Sequence, residues 1–281
     1  MIDLHSHTTA SDGHLDAGAL VREAWQAGIR VLAVTDHDTV AAIVAAREAA
    51  TALGLTLVNG IEITAIDGGR DVHVLGYFFD PDAPALGRCL VAQRAARRDR
   101  VRAMAVRLAE CGVPVDMEPL LALTPVERAV GRPALAEALV AAGHVRSPRE
   151  AFDSWIGEGC PAWVRRDGPS VRDVIAVLHD AGGLASVAHP VLYDRDDEIA
   201  RWQAAGLDAI EVYHSEHGAA DVARYRALAE GLGMLVTGGS DFHGERPART
   251  SRSRPRILGR VSLPEDEFGR LLEARRLKAE G

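Results

Sequence analysis

Acidic and imidazole side chains follow short apolar runs at many points of this chain of 281 residues. In chain order they are His5, His7, Asp12, Asp36, His37, Asp38, Glu62, His73, His189, Asp241 and His243. Imidazole nitrogens and carboxylate oxygens are common ligands of divalent transition metals. Because a barrel brings the ends of its strands together at one mouth, this pattern predicts a polynuclear metal centre there.

The first of these motifs, His5-Ser6-His7, places two imidazoles at alternate positions of an extended segment. Alternate residues of a strand point the same way, so both rings can reach one metal ion. Taken singly, this motif and those around Asp12, His37 and Asp241 are modest signals. Their joint occurrence at successive strand ends carries the prediction.

Strands and helices alternate in the parts of the chain that hold these residues. Apolar runs predict seven strands, at 1–5, 30–35, 55–60, 71–79, 183–188, 208–213 and 233–238. Helical apolar spacing is found between them at 16–28, 39–53, 169–182, 195–206 and 219–232. This alternation predicts an α/β fold with a parallel sheet. Seven strands that each end in polar residues favour a closed barrel over an open sheet, which would concentrate its site at one switch point.

Residues 84–166 interrupt the alternation and are predicted to be mainly helical, with a long Arg-rich helix at 86–111. Further helices are expected at 134–142 and from Pro148 onward. We expect an inserted helical subdomain over the barrel mouth, with the barrel itself formed by 1–83 and 167–281. In the C-terminal part, the sequence pattern predicts an Arg-rich loop from about residue 244, a short strand at 257–262 and a helix at 265–278.

Composition narrows the class of protein. Hydrophobic residues make up 47% and charged residues 26%, as in ordinary globular proteins. A formal net charge of −8 argues against bulk binding of long nucleic acid. No apolar run approaches the ~18 residues of a membrane span, and the three cysteines have no paired spacing. A motif lies within the first five residues, so we expect no signal peptide and a cytoplasmic location. We also expect no obligate protein partner.

These motifs resemble those of the polymerase and histidinol phosphatase (PHP) superfamily of metal-dependent phosphoesterases. The matching segments, in the family order, are Asp3-Leu4-His5-Ser6-His7-Thr8, Ser11-Asp12-Gly13, Thr35-Asp36-His37-Asp38, Gly60-Ile61-Glu62, His73, His189-Pro190 and Ser240-Asp241-Phe242-His243. They span nearly the whole chain. Gly131-Arg132-Pro133 and the segment from Ala151 to Val164 are similar to the RNase AM/TrpH-like branch with a helical insert, which includes phosphatases of nucleoside 3′,5′-bisphosphates.

The resemblance implies a distorted (β/α)7 barrel and three divalent metal ions. The first ion would bind His5, His7, Glu62 and Asp241, the second Asp12, His37 and His243, and the third His73, His189 and a bridging Glu62. Nitrogen and oxygen donors without cysteine suit Mn²⁺, Fe²⁺ or Zn²⁺, of which we expect Mn²⁺. Three such ions with three carboxylates leave a net charge of about +3, which would attract a phosphate group.

The expected reaction is hydrolysis of a phosphoester, in which a metal-bridging hydroxide attacks phosphorus in line with the leaving oxygen. Asp12, His37, Glu62 and Asp241 would serve catalysis through the metals. His217 is a candidate for proton donation or phosphate binding. Asp36 and Asp38 flank a ligand and are expected to orient imidazoles.

The expected substrates are nucleoside 3′,5′-bisphosphates, which would lose the 3′-phosphate, or short 5′-phosphorylated RNA trimmed from its 5′ end. Arg132, Arg165 and Arg166 lie at boundaries of the insert and are candidates for binding the 5′-phosphate. For the arginines of the long helix, a solvated helix face is favoured over a nucleotide-binding surface. These residues are Arg94, Arg97, Arg98, Arg100, Arg102 and Arg107. Trp155 and Trp163 could stack on a base, but packing in the core is the favoured interpretation for both.

Three alternatives stay open. The chain could be a histidinol phosphatase, against which the insert and its arginines count. A non-catalytic PHP module that stabilises a partner is disfavoured by the intact set of ligands. An amidohydrolase is disfavoured because the one lysine of the chain, Lys278, lies in a terminal helix and cannot serve as a carbamylated barrel lysine.

Overall fold

The computed structural model describes residues 1–244 and 255–280. Its strands are β1 (Ile2–Asp3), β2 (Val31–Val34), β3 (Thr56–Asp67), β4 (Arg70–Tyr77), β5 (Leu184–Val187), β6 (Ala209–His214) and β7 (Leu235–Gly239). Its α-helices are α1 (Ala17–Gln26), α2 (Ile43–Leu53), α3 (Pro84–Glu110), α4 (Glu118–Leu123), α5 (Arg132–Ala141), α6 (Pro148–Ala151), α7 (Val171–Asp180), α8 (Asp196–Ala204), α9 (Ala219–Leu232) and α10 (Glu265–Glu280). A π-helical turn at Phe152–Ile156 extends α6, and a 3-10 turn at Pro190–Leu192 follows β5. All seven predicted strands are therefore present.

The strands form one sheet in the order β1 to β7. Neighbouring strands are parallel except at β4, which runs antiparallel to both β3 and β5. The reversal occurs at Gly68 and Gly69, whose φ angles of 56° and 83° allow the two-residue turn of a hairpin. The prediction of a wholly parallel sheet is thus wrong at β4, because a tight turn stands where a helical crossover was expected.

Backbone hydrogen bonds join the two ends of the sheet. The N–H of Leu4 donates to the carbonyl of Gly238 at 3.1 Å, and the N–H of Asp241 donates to the carbonyl of His5 at 2.8 Å. The sheet is consequently a nearly closed seven-stranded barrel, as predicted. Its closure brings the segments after β1 and β7 into contact, which places the first and last predicted ligands side by side.

Local sequence sets the ends of the barrel helices. Asp16 caps α1 by accepting the N–H of Ala19 at 2.7 Å, and Ser170 and Asp173 form a capping box at the start of α7. Gly54 ends α2 in the left-handed conformation, as does Gly233 at the end of α9. These signals explain why the barrel helices lie close to their predicted positions.

Residues between 101 and 164 form a hydrophobic cluster separate from that of the barrel, with Met104, Leu108, Leu135 and Leu139 fully buried in it. The helices predicted at 86–111 and 134–142 are present as α3 and α5. This second core supports an inserted subdomain, although its boundaries at 84 and 166 stay a prediction. No helix in the described ranges is long and apolar enough to cross a membrane.

The short strand predicted at 257–262 is wrong. The N–H of Arg260 donates to the carbonyl of Ile257 at 3.2 Å, and Gly259 has a φ of 75°, so the chain turns there instead of extending. Leu258 is buried against the cluster around α1 and α2. The predicted helix at 265–278 is present as α10. The Arg-rich loop predicted from residue 244 lies mostly at 245–254, outside the described residues.

Candidate metal centre and arginine pocket

The structure brings the nine predicted metal ligands together at one end of the barrel. His5 and His7 follow β1, His37 follows β2, and Asp241 and His243 follow β7. Among the described residues, four groups have ligand atoms within 4.8 Å of one another: His7, Asp12, His37 and His243; His5, His7, Glu62 and Asp241; His37, Glu62 and His73; and His5, Glu211 and His214. The ninth predicted ligand, His189, contacts Glu62. We call the nine predicted ligands the ligand cluster.

Glu62 is the central carboxylate of the ligand cluster. Its Oε1 lies 2.7 Å from Nδ1 of His73 and 3.0 Å from Nε2 of His189. Its Oε2 lies 3.1 Å from Nδ1 of His37 and 3.2 Å from Nε2 of His7. Burial alone would raise the pKa of Glu62, but the surrounding imidazoles, His37 first among them, hold it well below its usual range. Two oxygens that face different imidazole groups are suited to bridge two metal ions.

The grouping of ligand atoms agrees with the expected metal sets in part. The set of His5, His7, Glu62 and Asp241 forms one group as expected. His7 also joins Asp12, His37 and His243, while His37 also joins Glu62 and His73. The groups therefore share residues, which is typical of a polynuclear centre with bridging ligands.

The donor atoms of His7 test whether a metal ion fits here. Both ring nitrogens are buried and make no hydrogen bond of normal geometry to any described residue. Even so, Nε2 lies 3.1 Å from Oδ1 of Asp241 and 3.2 Å from Oε2 of Glu62. Ring nitrogens and carboxylate oxygens that converge without aligned hydrogen bonds fit a metal ion between them. The ligand cluster thus has the chemistry of a divalent metal site.

The backbone is strained at three places around this end of the barrel. Asp38, His189 and Asp241 have φ angles of 51°, 30° and 54°, a region that side chains with a Cβ rarely adopt. Such strain is frequent at functional sites, where surrounding contacts hold it in place. Two of the three residues, His189 and Asp241, are themselves predicted metal ligands, and Asp38 directly follows the ligand His37.

Two buried residues of β6 lie behind the ligand cluster and were not among the predicted ligands. Glu211 accepts a hydrogen bond from the N–H of His189 at 2.7 Å and contacts Nδ1 of His5. His214 lies 3.3 Å from Oδ2 of Asp241 through Nε2, and its Nδ1 accepts the N–H of Glu216. These contacts orient the ligands that face the metals. The sequence signal that could have revealed Glu211 is a carboxylate inside an apolar strand.

The hydrogen bonds of Asp36 and Asp38 go to groups other than imidazoles, contrary to the expectation that these residues orient imidazole rings. Asp36 accepts hydrogen bonds from the N–H and hydroxyl of Thr8 and from the hydroxyl of Ser11, at 2.6–2.7 Å. It therefore holds the loop that carries Asp12. Asp38 points toward the insert, where it accepts Nε of Arg97 at 2.5 Å and a terminal nitrogen of Arg166 at 3.0 Å.

A small cavity opens between the ligand cluster and the insert. It has a volume of about 100 Å³, and Asp12, His37 and His73 form part of its wall. The cations in its wall are Arg97, Arg100, Arg132 and Arg166. We call this cavity the arginine pocket. Because Arg97 and Arg100 have side chains only 13% and 9% exposed, the prediction that they lie on a solvated face is wrong.

Two carboxylates balance part of this positive charge. Asp38 pairs with Arg97 and Arg166, while Asp71 lies 3.3 Å from Arg100 and 3.7 Å from Arg132. With Asp12 in the same wall, four guanidinium groups face three carboxylates, which leaves an excess of positive charge. Guanidinium groups in this setting suit a phosphate, which they bind through paired hydrogen bonds.

Two of the four predicted substrate-binding residues line the arginine pocket, and two lie elsewhere. Arg132 and Arg166 line the arginine pocket. The guanidinium of Arg165 instead lies against Gly69 at the turn between β3 and β4, and this residue is exposed. His217 is buried, and its ring packs 5.0 Å from that of Tyr225 and 5.4 Å from that of His214. Its Nδ1 donates to the carbonyl of Val212. Neither Arg165 nor His217 is thus brought into the arginine pocket.

Known proteins are similar to this chain in sequence and fold. A family model described as the PHP domain matches residues 3–118. A 5′-3′ exoribonuclease of Haemophilus influenzae is 33% identical, over 86% of this chain and 89% of that protein. A 3′,5′-nucleoside bisphosphate phosphatase of Chromobacterium violaceum is 32% identical, over 86% of this chain and 87% of that protein.

The name of a third relative gives a different phosphoester as its substrate. It is a phosphoribosyl 1,2-cyclic phosphate 1,2-diphosphodiesterase of Eggerthella lenta, 36% identical over 86% of this chain and 94% of that protein. Among solved structures, a protein assigned as a metal-dependent phosphoesterase from Bifidobacterium adolescentis is similar, with a TM-score of 0.85 and 33% identity. The match covers 97% of this chain and 95% of that protein.

Proposed function

Because the chain belongs to the PHP family of metal-dependent phosphoesterases, we propose that it hydrolyses the 3′-phosphoester of nucleotides that carry a 5′-phosphate. The proposed substrates are nucleoside 3′,5′-bisphosphates and short 5′-phosphorylated RNA. Relatives of this chain carry the names of both activities. A cytoplasmic location and the absence of an obligate protein partner stay predictions.

The observation that carries this proposal is the arginine pocket beside the ligand cluster. A substrate with one phosphate would place it at the ligand cluster and leave the excess positive charge of the arginine pocket without a phosphate to neutralise it. The pocket volume of about 100 Å³ is below the ~300 Å³ at which pockets for drug-sized ligands begin, and it suits a phosphate group. Two separate sites for phosphate favour a substrate with two phosphates.

We propose three divalent metal ions, with Mn²⁺ as the native metal. The nine residues of the ligand cluster would hold them, with Glu62 as the bridging carboxylate. When bound, divalent metals lower the pKa of water and neutralise charge on the phosphoryl oxygens. The protein contributes the orientation of the donors, since Glu211 and His214 hold His5 and Asp241 from behind.

One bond cleavage accounts for both proposed activities. A water oxygen bonds to the 3′-phosphorus, the bond between phosphorus and the 3′-oxygen breaks, and the 3′-oxygen takes up a proton. With a bisphosphate the products are a nucleoside 5′-phosphate and inorganic phosphate. With RNA they are a nucleoside 5′-phosphate and a shortened chain that again begins with a 5′-phosphate. Arg97, Arg100, Arg132 and Arg166 would hold the first 5′-phosphate while the 3′-phosphorus lies at the ligand cluster.

The test is phosphate or nucleotide release by protein reconstituted with Mn²⁺. The substrate panel is adenosine 3′,5′-bisphosphate, 5′-AMP, 3′-AMP, histidinol phosphate and a 5′-phosphorylated RNA trinucleotide. We expect turnover of the bisphosphate, the trinucleotide or both, and much slower turnover of the single-phosphate nucleotides. Turnover of histidinol phosphate alone would replace the proposal with a histidinol phosphatase. No turnover with metals bound would favour a non-catalytic PHP module.

The variant Asp241→Asn tests the metal centre. The amide lacks the negative charge of the carboxylate, whose Oδ1 lies 3.4 Å from His5 and 3.1 Å from His7, so turnover of every substrate should stop. The circular dichroism spectrum should be unchanged, because the substitution keeps the shape of the side chain. Near-normal turnover by this variant would contradict the assignment of the ligand cluster.

A further inference from the structure

A second cavity adjoins the arginine pocket on the side of Arg100 and Arg132. Its volume is about 380 Å³, within the range of ligand-binding sites. It shares Asp71, His73, Arg100 and Arg132 with the arginine pocket. Its further walls include Trp163, Leu192, Tyr193, His189, Arg70 and Arg195. We call it the tryptophan cavity, and its volume and aromatic walls suit a nucleoside better than an anion.

The backbone at Trp163 is held rigidly. Its N–H donates to the carbonyl of Cys160 at 3.0 Å, and its carbonyl accepts a terminal nitrogen of Arg107 at 2.6 Å. The carbonyl of Val164 accepts Nε of Arg100 at 2.9 Å. Arg100 and Arg107 both belong to α3, so Trp163 is tied to the helix that also lines the arginine pocket. These contacts anchor the backbone of Trp163 at the wall of the tryptophan cavity.

The two tryptophans of the insert differ in environment. Trp155 packs against the hydrophobic cluster of the insert, as predicted. Trp163 is half-buried and lines the tryptophan cavity, so the prediction of core packing is wrong for this residue. The rim beside it carries Leu192, which is 52% exposed, and Arg70, whose side chain is 61% exposed. An aromatic ring with a cation at the rim is the usual composition of a site for single-stranded nucleic acid.

The tryptophan cavity reaches the ligand cluster through Tyr193. The hydroxyl of Tyr193 accepts the N–H of His73 at 2.8 Å, and its ring lies 5.5 Å from that of His189. His73 and His189 themselves form part of the cavity wall. A group attached to a phosphate at the ligand cluster can therefore extend directly into this cavity.

We infer that the tryptophan cavity binds the second nucleotide of a 5′-phosphorylated oligonucleotide, with its base stacked on Trp163. This inference rests on the proposed function, in which the second nucleotide is attached to the 3′-phosphorus. The first base would then lie in a separate cavity of about 200 Å³ beside Asp12, lined by Leu120, Val130, Pro133 and Ala134. A nucleoside 3′,5′-bisphosphate has no second nucleotide, and so it leaves the tryptophan cavity empty.

The test compares wild type and Trp163→Ala, both loaded with Mn²⁺, on three substrates. These are adenosine 3′,5′-bisphosphate, a 5′-phosphorylated diadenylate, and the same dinucleotide with an abasic second residue. We expect Trp163→Ala to lower kcat/KM for the diadenylate about tenfold, the order of effect of losing one base–aromatic stack. Its kcat/KM for the bisphosphate and the abasic dinucleotide should equal those of wild type, because neither has a base to stack there.

Two further variants serve as controls. Trp163→Phe keeps an aromatic ring and should recover most of the activity on the diadenylate. Trp25→Ala removes a tryptophan that is 51% exposed on α1, and it should leave all three substrates unaffected.

The outcomes separate the inference from the proposed function. If Trp163→Ala reduces turnover of the bisphosphate and the diadenylate by the same factor, the inference is overturned while the proposed function stands. The same holds if wild type hydrolyses the bisphosphate and leaves the diadenylate intact. If wild type hydrolyses none of the three, both fail.

Discussion

Glu211 places Oε1 2.8 Å from Nδ1 of His5, and both side chains are fully buried. With Nδ1 held by this carboxylate, Nε2 of His5 is directed at Glu62 and Asp241, 3.3 and 3.4 Å away. The other oxygen of Glu211 accepts the N–H of His189. Burial alone would raise the pKa of Glu211, yet it is lowered, chiefly by the nearby imidazole of His5. One anionic residue of β6 therefore orients two members of the ligand cluster.

We predict that Glu211→Gln weakens metal binding. The amide can accept a hydrogen bond but carries no charge, so Nδ1 of His5 is held less firmly and its Nε2 becomes a poorer donor. Metal affinity should fall about tenfold, the lower end of the effect of such outer residues. Titration of the metal-free protein with Mn²⁺ against a competing chelator measures this. Glu230→Gln, on the exposed face of α9, is the matched control. Equal affinities of the two variants would show that Glu211 does not support the centre.

Asp38 links the insert to the barrel. Besides Arg97 and Arg166, it accepts the N–H of Thr64 at 3.0 Å and the amide of Gln93 at 3.3 Å. Burial alone would raise the pKa of Asp38, but Arg97 and Arg166 hold it far below its usual range. Because Asp38 directly follows His37 in the chain, the residue that binds the arginines lies next to a predicted metal ligand.

We therefore predict that Asp38→Asn destabilises the protein and weakens binding of substrates with two phosphates. Removing one partner of a buried ion pair costs about 3 kcal/mol, because Arg97 and Arg166 then lose their counter-charge. Urea unfolding of the metal-free protein measures the loss, and the KM for a nucleoside bisphosphate should rise. Asp99→Asn, in an exposed pair with Arg102 on the same α3, should change neither quantity. Similar behaviour of the two variants would contradict the role given to Asp38.

The sequence predicted the features of the fold that depend on local signals, and it missed features that depend on how distant segments pack together. Apolar runs mark strands wherever they occur, so all seven strands were found. The direction of β4 was not, because it depends on the short turn at Gly68 and Gly69, and an apolar run looks the same in either direction. The ligand cluster was predictable because most of its members follow the end of a strand, and closing the barrel brings such positions together. Glu62 and His73 instead lie inside β3 and β4.

Residues whose role depends on what packs over them were missed. Arg97 and Arg100 stand three residues apart on one face of α3, a pattern that equally describes a solvated helix. Only the fold shows that this face covers the ligand cluster. Trp163 was misplaced for a similar reason, since a tryptophan in a cavity wall and one in a core are alike in sequence. Glu211 was missed because its partner His5 is distant in the chain and meets it through the sheet.

Arg132 provides a test of the arginine pocket. Its guanidinium lies 3.7 Å from Asp71 and 5.7 Å from the ring centre of Phe152, at the N-terminus of α5. Arg132→Ala should raise KM for adenosine 3′,5′-bisphosphate about tenfold, the order of a lost charged hydrogen bond. For an aryl phosphate, which has no second phosphate, KM should change little. Arg165→Ala is the matched control, because that guanidinium lies against Gly69. Equal effects of Arg132→Ala on both substrates would remove Arg132 from recognition of the 5′-phosphate.

Asp208 gives a prediction of pH-dependent stability away from the metal centre. Its carboxylate accepts hydrogen bonds from Nε2 of His179 and from the N–H of Ala185, both at 2.8 Å. It also accepts a hydrogen bond from Nζ of Lys278 at 2.9 Å. These contacts join α7, β5 and α10 at one point. Burial alone would raise the pKa of Asp208, but the hydrogen bonds from His179, Ala185 and Lys278 lower it below its ordinary value of 3.8.

A carboxyl group with a lowered pKa stabilises the folded protein above its unfolded pKa, and this contribution is lost as the pH falls through the folded value. Asp208→Asn should therefore cost about 1–2 kcal/mol of unfolding free energy near neutral pH. The difference from wild type should begin to shrink below pH 3.8, where the carboxyl group of the unfolded chain becomes protonated. Urea unfolding of metal-free wild type and variant between pH 6 and pH 3 measures this difference. Asp180→Asn, on an exposed residue at the end of α7, should match wild type throughout. A constant difference for Asp208→Asn over the whole range would mean that its contribution is packing and not charge.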